Sequence, residues 1–467
     1  MSDLTASTGT SFADLFAEGR ASKFLFICLA VWLNAADSLV TATIMPNVGA
    51  DLGGYPFFSW AVAGFLMGAI LASASAGRLS ELLGLRFATT IAGVIFAVGC
   101  AMSALAPTID IFLVGRIVQG FGSGWISGFA MVAIALLFPE RHLARMFAST
   151  AGVWGIATVV GPLIGGILAQ AGNWRAVFWL FAVQAALFSS VAPFLLRSNA
   201  GKRFQSSIPW LQLILLTLGV GAIAMANLGG SSTAAIGFVA IGLAVLLFVL
   251  WVDGRAPVRM FPHRAGSLRT TAGLGYAAMF ALFASSMSLI VYVPPILQVT
   301  RHLSPMSAGY VVAAQALAWT LTAFAVANAT GASADRCIRL GGVCILTSVA
   351  CLMAGLGRAP LPMIIGSASL MGIGFGLCFS FINRRVLGVL SAEDRSIGAS
   401  AFIVVRQTGG AVGAAIAGAA ANLAGFQAGM TAAAAQSTSI WVFATALPLA
   451  LAGAWAAWRL SFDSGPG

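Results

Sequence analysis

Gly77-Arg78-Leu79-Ser80-Glu81-Leu82-Leu83-Gly84-Leu85-Arg86 is a short charged break between two apolar runs. In the second half of the chain Gly331-Ala332-Ser333-Ala334-Asp335-Arg336, with Arg339 beyond, repeats its plan. Each break opens on a glycine that lets two helices approach, then carries an acid and arginines at the edge of an apolar segment. Such a pair of breaks forms a charge clamp at the ends of two corresponding helix sets. The runs around them suit bilayer-spanning helices of about 20 residues. The reading is therefore an all-α polytopic membrane protein built as a tandem repeat of helices.

Composition agrees. Of 467 residues, 60% are hydrophobic and 8% are charged, against about 25% charged in soluble domains. A water-soluble globular protein is excluded. The net charge of +11, from 24 Lys and Arg against 13 Asp and Glu, would suggest nucleic acid in a soluble chain. Here the charges are too sparse to line a binding face, and no nucleic-acid partner is expected.

Apolar runs between polar breaks give fourteen spans. Six lie between about 23 and 196, two at about 208–228 and 233–252, and six between about 270 and 459. The middle pair is a hairpin closed by Gly229-Gly230-Ser231-Ser232. The expected organisation is a tail over 1–22, a six-helix bundle over 23–196, a linker with two extra helices over 197–269, a second bundle over 270–460 and a tail over 461–467. Nineteen of the 24 basic residues then fall on the N-terminal side of the membrane, and only Arg175, Arg301 and Arg358 on the other. Short cytoplasmic loops retain positive charge, so both termini are expected in the cytoplasm of a plasma (inner) membrane protein. The polar start, with Asp3, Asp14 and Glu18 before Arg20, is a cytoplasmic tail and not a signal peptide. Six cysteines lie in or beside apolar runs without metal-ligand spacing, as buried free thiols do.

Several motifs stand in order at matching helices. Span 1 reads Asp37-Ser38-Leu39-Val40-Thr41-Ala42-Thr43-Ile44-Met45-Pro46, and span 4 reads Arg116-Ile117-Val118-Gln119-Gly120-Phe121-Gly122. Span 5 reads Gly161-Pro162-Leu163-Ile164-Gly165-Gly166, and the next-to-last span reads Arg406-Gln407-Thr408-Gly409-Gly410-Ala411-Val412-Gly413. With the 77–86 break and Tyr292-Val293-Pro294-Pro295, this set resembles the major facilitator superfamily, in particular its 14-helix drug:proton antiporter branch. The resemblance covers residues 23–460. It departs from the family's G-x-L-x-D-R-x-G-R-R loop at Glu81, Leu82 and Leu85, and Ala42 replaces the branch's usual asparagine. It implies two six-helix bundles plus two central helices, alternating access, and a proton gradient as the only driver, with no cofactor or metal. It also implies gating by Gly77, Glu81, Arg86, Gly120, Gly161, Pro162, Gly165, Gly166, Asp335 and Arg336.

Asp37 is the one acid deep in a span. A carboxylate at helix centre costs about 2.5–3.5 kcal/mol on insertion scales, so it marks a functional site by default. Arg116 lies at similar depth and is its natural partner. The opposing effects of burial and a nearby cation can place proton exchange near neutral pH; a purely structural ion pair is the alternative. Asn34 and Thr41 share the Asp37 face at i−3 and i+4. Trp32, Trp154, Tyr292, Gln315, Asn383 and Arg406 are further candidates for a substrate cavity, though intramembrane amides are as often interhelical glue, and packing is an equal reading for Arg406.

The expected function is proton-coupled secondary export of small amphiphilic or monovalent cationic compounds, with the protein a monomer in the bilayer and its partners a small-molecule substrate and protons. One membrane carboxylate supports one proton per cycle. Alternatives are export of a specific lipid or native metabolite, or a non-cycling transporter-like receptor or assembly factor. An enzyme is not expected: there is no HExxH, no paired-acid metal motif and no P-loop.

Overall fold

The computed structural model describes residues 20–138, 140–196, 208–228, 231–391, 394–429 and 431–462. Asp3, Asp14, Glu18, Arg197, Lys202, Arg203, the Gly229-Gly230 turn, Glu393 and Asp463 lie outside the described residues, as do most of both tails and the side chains of Glu140, Arg141 and Arg145.

The described residues form fourteen α-helices. The first six are α1 (Ala21–Leu52), α2 (Trp60–Leu83), α3 (Leu85–Leu105), α4 (Ile109–Leu137), α5 (Glu140–Gln170) and α6 (Arg175–Leu195). A hairpin follows, α7 (Trp210–Met225) and α8 (Ser232–Asp253). The last six are α9 (Thr271–Thr300), α10 (Pro305–Ala325), α11 (Gly331–Gly355), α12 (Leu361–Gly388), α13 (Asp394–Leu423) and α14 (Ala432–Phe462). Thirteen include a stretch long and apolar enough to cross a bilayer; α7, with 16 residues, is shorter and continues as a 3-10 turn to Leu228. The protein is a multi-pass membrane protein. Caps set several starts: Ser231, Thr270 and Ser304 each accept a hydrogen bond from the backbone N–H three residues on, satisfying a donor that the first helical turn leaves open.

The helices outrun the apolar stretches at the end bearing the basic loops. Residues 77–83 complete α2, and 331–336 are the first turns of α11, where a loop is expected from sequence. Charged side chains already reach water at that depth, so the backbone has no reason to leave the helix. The chain breaks only where the backbone turns left-handed, at Gly84 (φ 75°) and Gly331 (φ 52°), a conformation that costs other residues. A side chain at Gly77 would meet open space; close helix approach is carried elsewhere.

It is carried by α4. Small residues on opposite faces let it sit between α2 and α3 at backbone contact. Gly120 abuts the Phe65 carbonyl of α2 and Gly68 of α2 abuts the Ile117 carbonyl, while Gly122 meets Phe96 of α3. In the second half α12 fits between α10 and α11 in the same way, with Gly372 on the Gln315 carbonyl and Gly341 of α11 against Cys378. The pairings α1–α5, α2–α4 and α3–α6 recur as α9–α13, α10–α12 and α11–α14.

The halves meet along two related seams, α5 with α10 and α13 with α2. On the first, Gly166 packs on the backbone of Met306, and Gly309 packs on Thr43 and Pro162. On the second, Ser73 donates to Gln407 Oε1 at 3.1 Å, Gly418 rests on Ser59, and Asn422 donates to the Pro56 carbonyl at 2.8 Å. Tyr55 and Phe58 from one half meet Tyr292 and Phe426 from the other, with ring centroids 5.4–6.3 Å apart. Apart from the Ser73–Gln407 bond, which lies near mid-depth, these contacts gather toward the end away from the basic loops. The α7–α8 hairpin braces the same end. Trp60 of α2 donates to the Ala224 carbonyl at 3.1 Å, and Asn422 of α13 donates to the Asn227 carbonyl at 3.1 Å.

Buried Asp253 ends α8 and accepts from the backbone N–H groups of Met260 (2.6 Å) and Phe261 (3.0 Å), tying the following loop to the hairpin. Asp51 pairs with Arg175 at the far end, and Arg175 also donates to the Ala106 carbonyl.

Gly120→Val is expected to cost about 1–3 kcal/mol or more, the range for overpacking a close contact, because its Cβ meets backbone that cannot rotate away. Thermal unfolding of the purified full chain should show a lowered midpoint for Gly120→Val. Gly152→Ala, where an added Cβ meets nothing within 4 Å, should show no lowering.

Candidate functional site: a buried charge triad

Asp37 sits at the midpoint of the 32-residue α1 and is fully buried. Arg116 lies two turns into α4, and Gln119 follows one turn later on the same face. Arg116 Nη1 donates to both Asp37 carboxylate oxygens at 3.0 Å and to Gln119 Oε1 at 2.7 Å. Gln119 Nε2 donates to Asp37 Oδ1 at 2.8 Å, closing a three-membered ring of hydrogen bonds. Arg116 Nε donates to the Ala61 carbonyl at 3.1 Å, and its guanidinium lies 4.6 Å from the Phe65 ring centroid. The glycine contacts of α4 on α2 make these last two contacts possible, since they bring Ala61 and Phe65 within reach of the Arg116 stem.

A buried ion pair recovers its desolvation cost only with good geometry and further hydrogen bonds. Here each member has them. The triad is electrically neutral while Asp37 is ionised, and it joins α1, α2 and α4 at one depth. A proton on Asp37 would leave Arg116 with a net positive charge and weaken its hold on α1.

The other sequence candidates spread out. Asn34 donates to Ser127 Oγ on α4 at 2.5 Å, one turn from Asp37, and Thr41 is buried one turn on the other side. Trp32 donates to Gln184 Oε1 of α6 at 2.9 Å, so its ring nitrogen serves the bundle. Trp154 is 39% exposed on α5. Tyr292 is buried in the cross-seam aromatic group and not beside Asp37. Gln315 is buried on α10 under Gly372, and the half-buried Asn383 has its Oδ1 without a hydrogen-bond partner. Arg406 is half-buried over Phe283 at 5.4 Å.

The gating candidates divide likewise. Gly161 and Gly165 lie on Leu39 and Val40 of α1, inside the first half, whereas Gly166 and Pro162 touch α10 across the seam. Glu81 is paired with Arg78 of its own helix at 3.3 Å, and Arg86 is exposed. Asp335 pairs with Arg385 of α12 at 2.7 Å, while Arg336 is exposed. The described clamp bonds thus stay within one half, because Arg385, on the neighbouring helix, faces Asp335 and Arg336 points away. Gln119 is the residue that sequence reasoning passed over as a site. Its i+3 spacing from Arg116 was the available signal.

Two related helix sets, meeting at two seams and holding a buried charge triad at mid-depth, define a transporter of the alternating-access architecture. A Major Facilitator Superfamily model matches residues 27–210. The chain is similar to a probable multidrug-efflux transporter of Mycobacterium tuberculosis, 27% identical over 90% of this chain and 91% of that protein. It is also similar to a multidrug transporter protein of Bacillus subtilis, 23% identical over 87% of this chain and 76% of that one. Among solved structures, a D-xylose–proton symporter superposes with a TM-score of 0.64 at 16% identity, covering 95% of this chain and 98% of that one; this likeness is one of fold. The family match thus covers residues 27–210, and the likeness that runs over nine tenths of the chain is to membrane transporters.

Removing one partner of a buried pair strands a charge and costs about 3–5 kcal/mol, whereas removing both is often nearly neutral. Asp37→Leu is therefore expected to destabilise the protein strongly, and Asp37→Leu with Arg116→Met to recover most of the loss. A double-mutant cycle by chemical or thermal unfolding reads the difference.

Proposed function

We propose that the protein is a proton-coupled exporter of small amphiphilic molecules, of the 14-helix drug:proton antiporter branch, and that Asp37 carries the proton. The observation that supports this reading most is the Asp37–Arg116–Gln119 triad: one titratable carboxylate, buried at mid-depth, with a single cation as its electrostatic partner. The multidrug-efflux names of the relatives favour outward movement of cargo. The basic-loop end faces the cytoplasm of the plasma membrane in this reading, and the seam contacts gathered toward the opposite end favour an inward-open state.

The cycle follows from charge. With Asp37 ionised, the triad is neutral and α1 is held to α4. Cargo leaves as the seams exchange their pairing, and in that outward-open state a proton from outside neutralises Asp37 and loosens α1 from Arg116. Rocking back releases the proton inside and readmits cargo. One carboxylate means one proton per turn. The protein acts as a monomer in this reading, since one chain supplies both halves and both seams. A free carboxylate for a cationic cargo is lacking while Arg116 and Gln119 occupy Asp37, so a neutral or differently charged amphiphile fits this state better than a cation.

In proteoliposomes holding the full chain, an imposed pH gradient should drive uphill movement of amphiphilic probes whose charge does not change with pH. Naphthalene-2-sulfonate, naphthalene-2-sulfonamide and naphthylmethyl-trimethylammonium form a suitable set. Asp37→Asn should lose at least about tenfold of the gradient-driven rate; a variant as fast as wild type would overturn the proton role.

A further inference from the structure

Arg406 is the second arginine inside the spans, and its surroundings differ from those of Arg116. It lies 12 residues into α13 from Asp394, about 18 Å along the helix at 1.5 Å per residue. Its guanidinium is half-buried and lies 5.4 Å from the Phe283 ring centroid. Among the described residues it has neither a hydrogen bond nor an ion pair; the ring contact is its recorded interaction.

Neighbouring helices offer no counterion. Helix α13 packs against α9, α14, α2 and α7 and touches α12 and α8; Asp253 at the end of α8 is held by the Met260 and Phe261 backbone, and Asp394 of α13 itself lies 12 residues away. Helices α7, α9 and α14 contain no acid, and neither do α10 and α12, which carry the aromatic side chains around Phe283. The acid on α2 is Glu81, paired with Arg78 at the basic-loop end. Asp37 is spent on Arg116. A cation–π contact is worth about 0.5–2 kcal/mol and uses the face of the guanidinium. The five N–H donors lie in its plane and still need acceptors. An arginine at this depth is costly to place in a membrane and marks a functional position by default.

The wall beside it is apolar and aromatic. Phe283, Trp319, Phe375, Phe379 and Phe402 form a connected group with centroids 4.8–6.1 Å apart, drawn from α9, α10, α12 and α13. Trp319 and Phe379 are only partly buried, so the group presents ring surface as well as core. The site also lies at the seam: the next residue, Gln407, accepts the bond from Ser73 across the halves.

We propose that Arg406 is the head-group subsite of the transport pathway and takes the anionic head, a carboxylate or sulfonate, of an amphiphile whose apolar body lies on the Phe283–Trp319–Phe379 wall. This rests on the transporter reading above and names the cargo class it leaves open. The guanidinium pairs with carboxylate-like oxygens through parallel N–H bonds, which would supply the missing acceptors. A permanent cation would meet an uncompensated positive charge at the same place. On this proposal the cargo is an anionic amphiphile, within the small amphiphilic compounds of the sequence reading and apart from its monovalent-cation alternative.

Equilibrium dialysis against the detergent-purified full chain tests this with the same three naphthalene probes, which share a ring and differ in head charge. Wild type should bind the sulfonate saturably and at least about tenfold more tightly than the sulfonamide or the trimethylammonium probe. Arg406→Gln should bring sulfonate and sulfonamide within about twofold, while Arg406→Lys keeps most of the preference and shows that charge, not fold, is read. Asp37→Asn should keep it as well. Absence of saturable sulfonate binding to wild type, equal or tighter binding of the other probes, or a preference that survives Arg406→Gln would overturn the proposal. The measurement uses no pH gradient, so the two readings fail separately. Sulfonate preference without gradient-driven transport sinks proton coupling alone, and gradient-driven transport without the preference sinks this subsite alone.

Discussion

One carboxylate and one guanidinium, both buried at mid-membrane, set the terms for the first half of this molecule. Neither can be left alone there, because an unpaired charge in that environment costs several kcal/mol. Their meeting requires α1 and α4 at one depth, with Arg116 held by the Ala61 carbonyl and the Phe65 face of α2. The glycine faces of α4 answer that requirement. They let α4 lie against α2 and α3 at backbone distance, so the guanidinium reaches its acceptors without an extended, exposed stem. The same pair is also the part of the first half that a single proton can alter.

The second half repeats the scaffold but not the chemistry. Helix α12 has the small-residue faces of α4 yet carries no counterpart of Arg116; the buried polar interior is replaced by phenylalanine and tryptophan, with Arg406 brought in from α13. In the proposed reading the halves therefore contribute different functions to one pathway. The first holds a neutral, proton-sensitive triad, and the second holds an unneutralised cation on an aromatic wall. In the proposed cycle the seams between them, joined in this structure mainly toward the end away from the basic loops, let a charge change in one half alter access to the other. The α7–α8 hairpin braces the joined end through Trp60, Asn227 and Asn422.

Much of the fold was legible because a bilayer leaves few options. Apolar run length gave all fourteen helices, and the uneven distribution of arginine and lysine supplied an orientation. Element ends were less legible: hydropathy marks where a helix enters the apolar layer, not where its backbone stops, so 77–83 and 331–336 read as loops. The Asp37–Arg116 pairing followed from depth along two helices. Gln119 did not, because an amide in a span is usually interhelical glue. The surroundings of Tyr292 were hidden for a different reason. Sequence gives its depth but not the facing partner, and Phe58 and Phe426 approach it only through folding of the two halves. The buried role of Asp253 was hidden by its position beside arginine-rich loop text.

Proton coupling at this triad requires Asp37 to exchange a proton while Arg116 remains charged. Infrared difference spectroscopy on membranes containing the full chain, taken between acidic and alkaline pH, reads that event at the bond concerned. A protonated-carboxyl carbonyl stretch should appear for wild type as the pH falls, and its assignment to Asp37 requires that it vanish in Asp37→Asn. A band unchanged by that substitution, or an Asp37 that stays ionised across the whole range, would contradict the central claim.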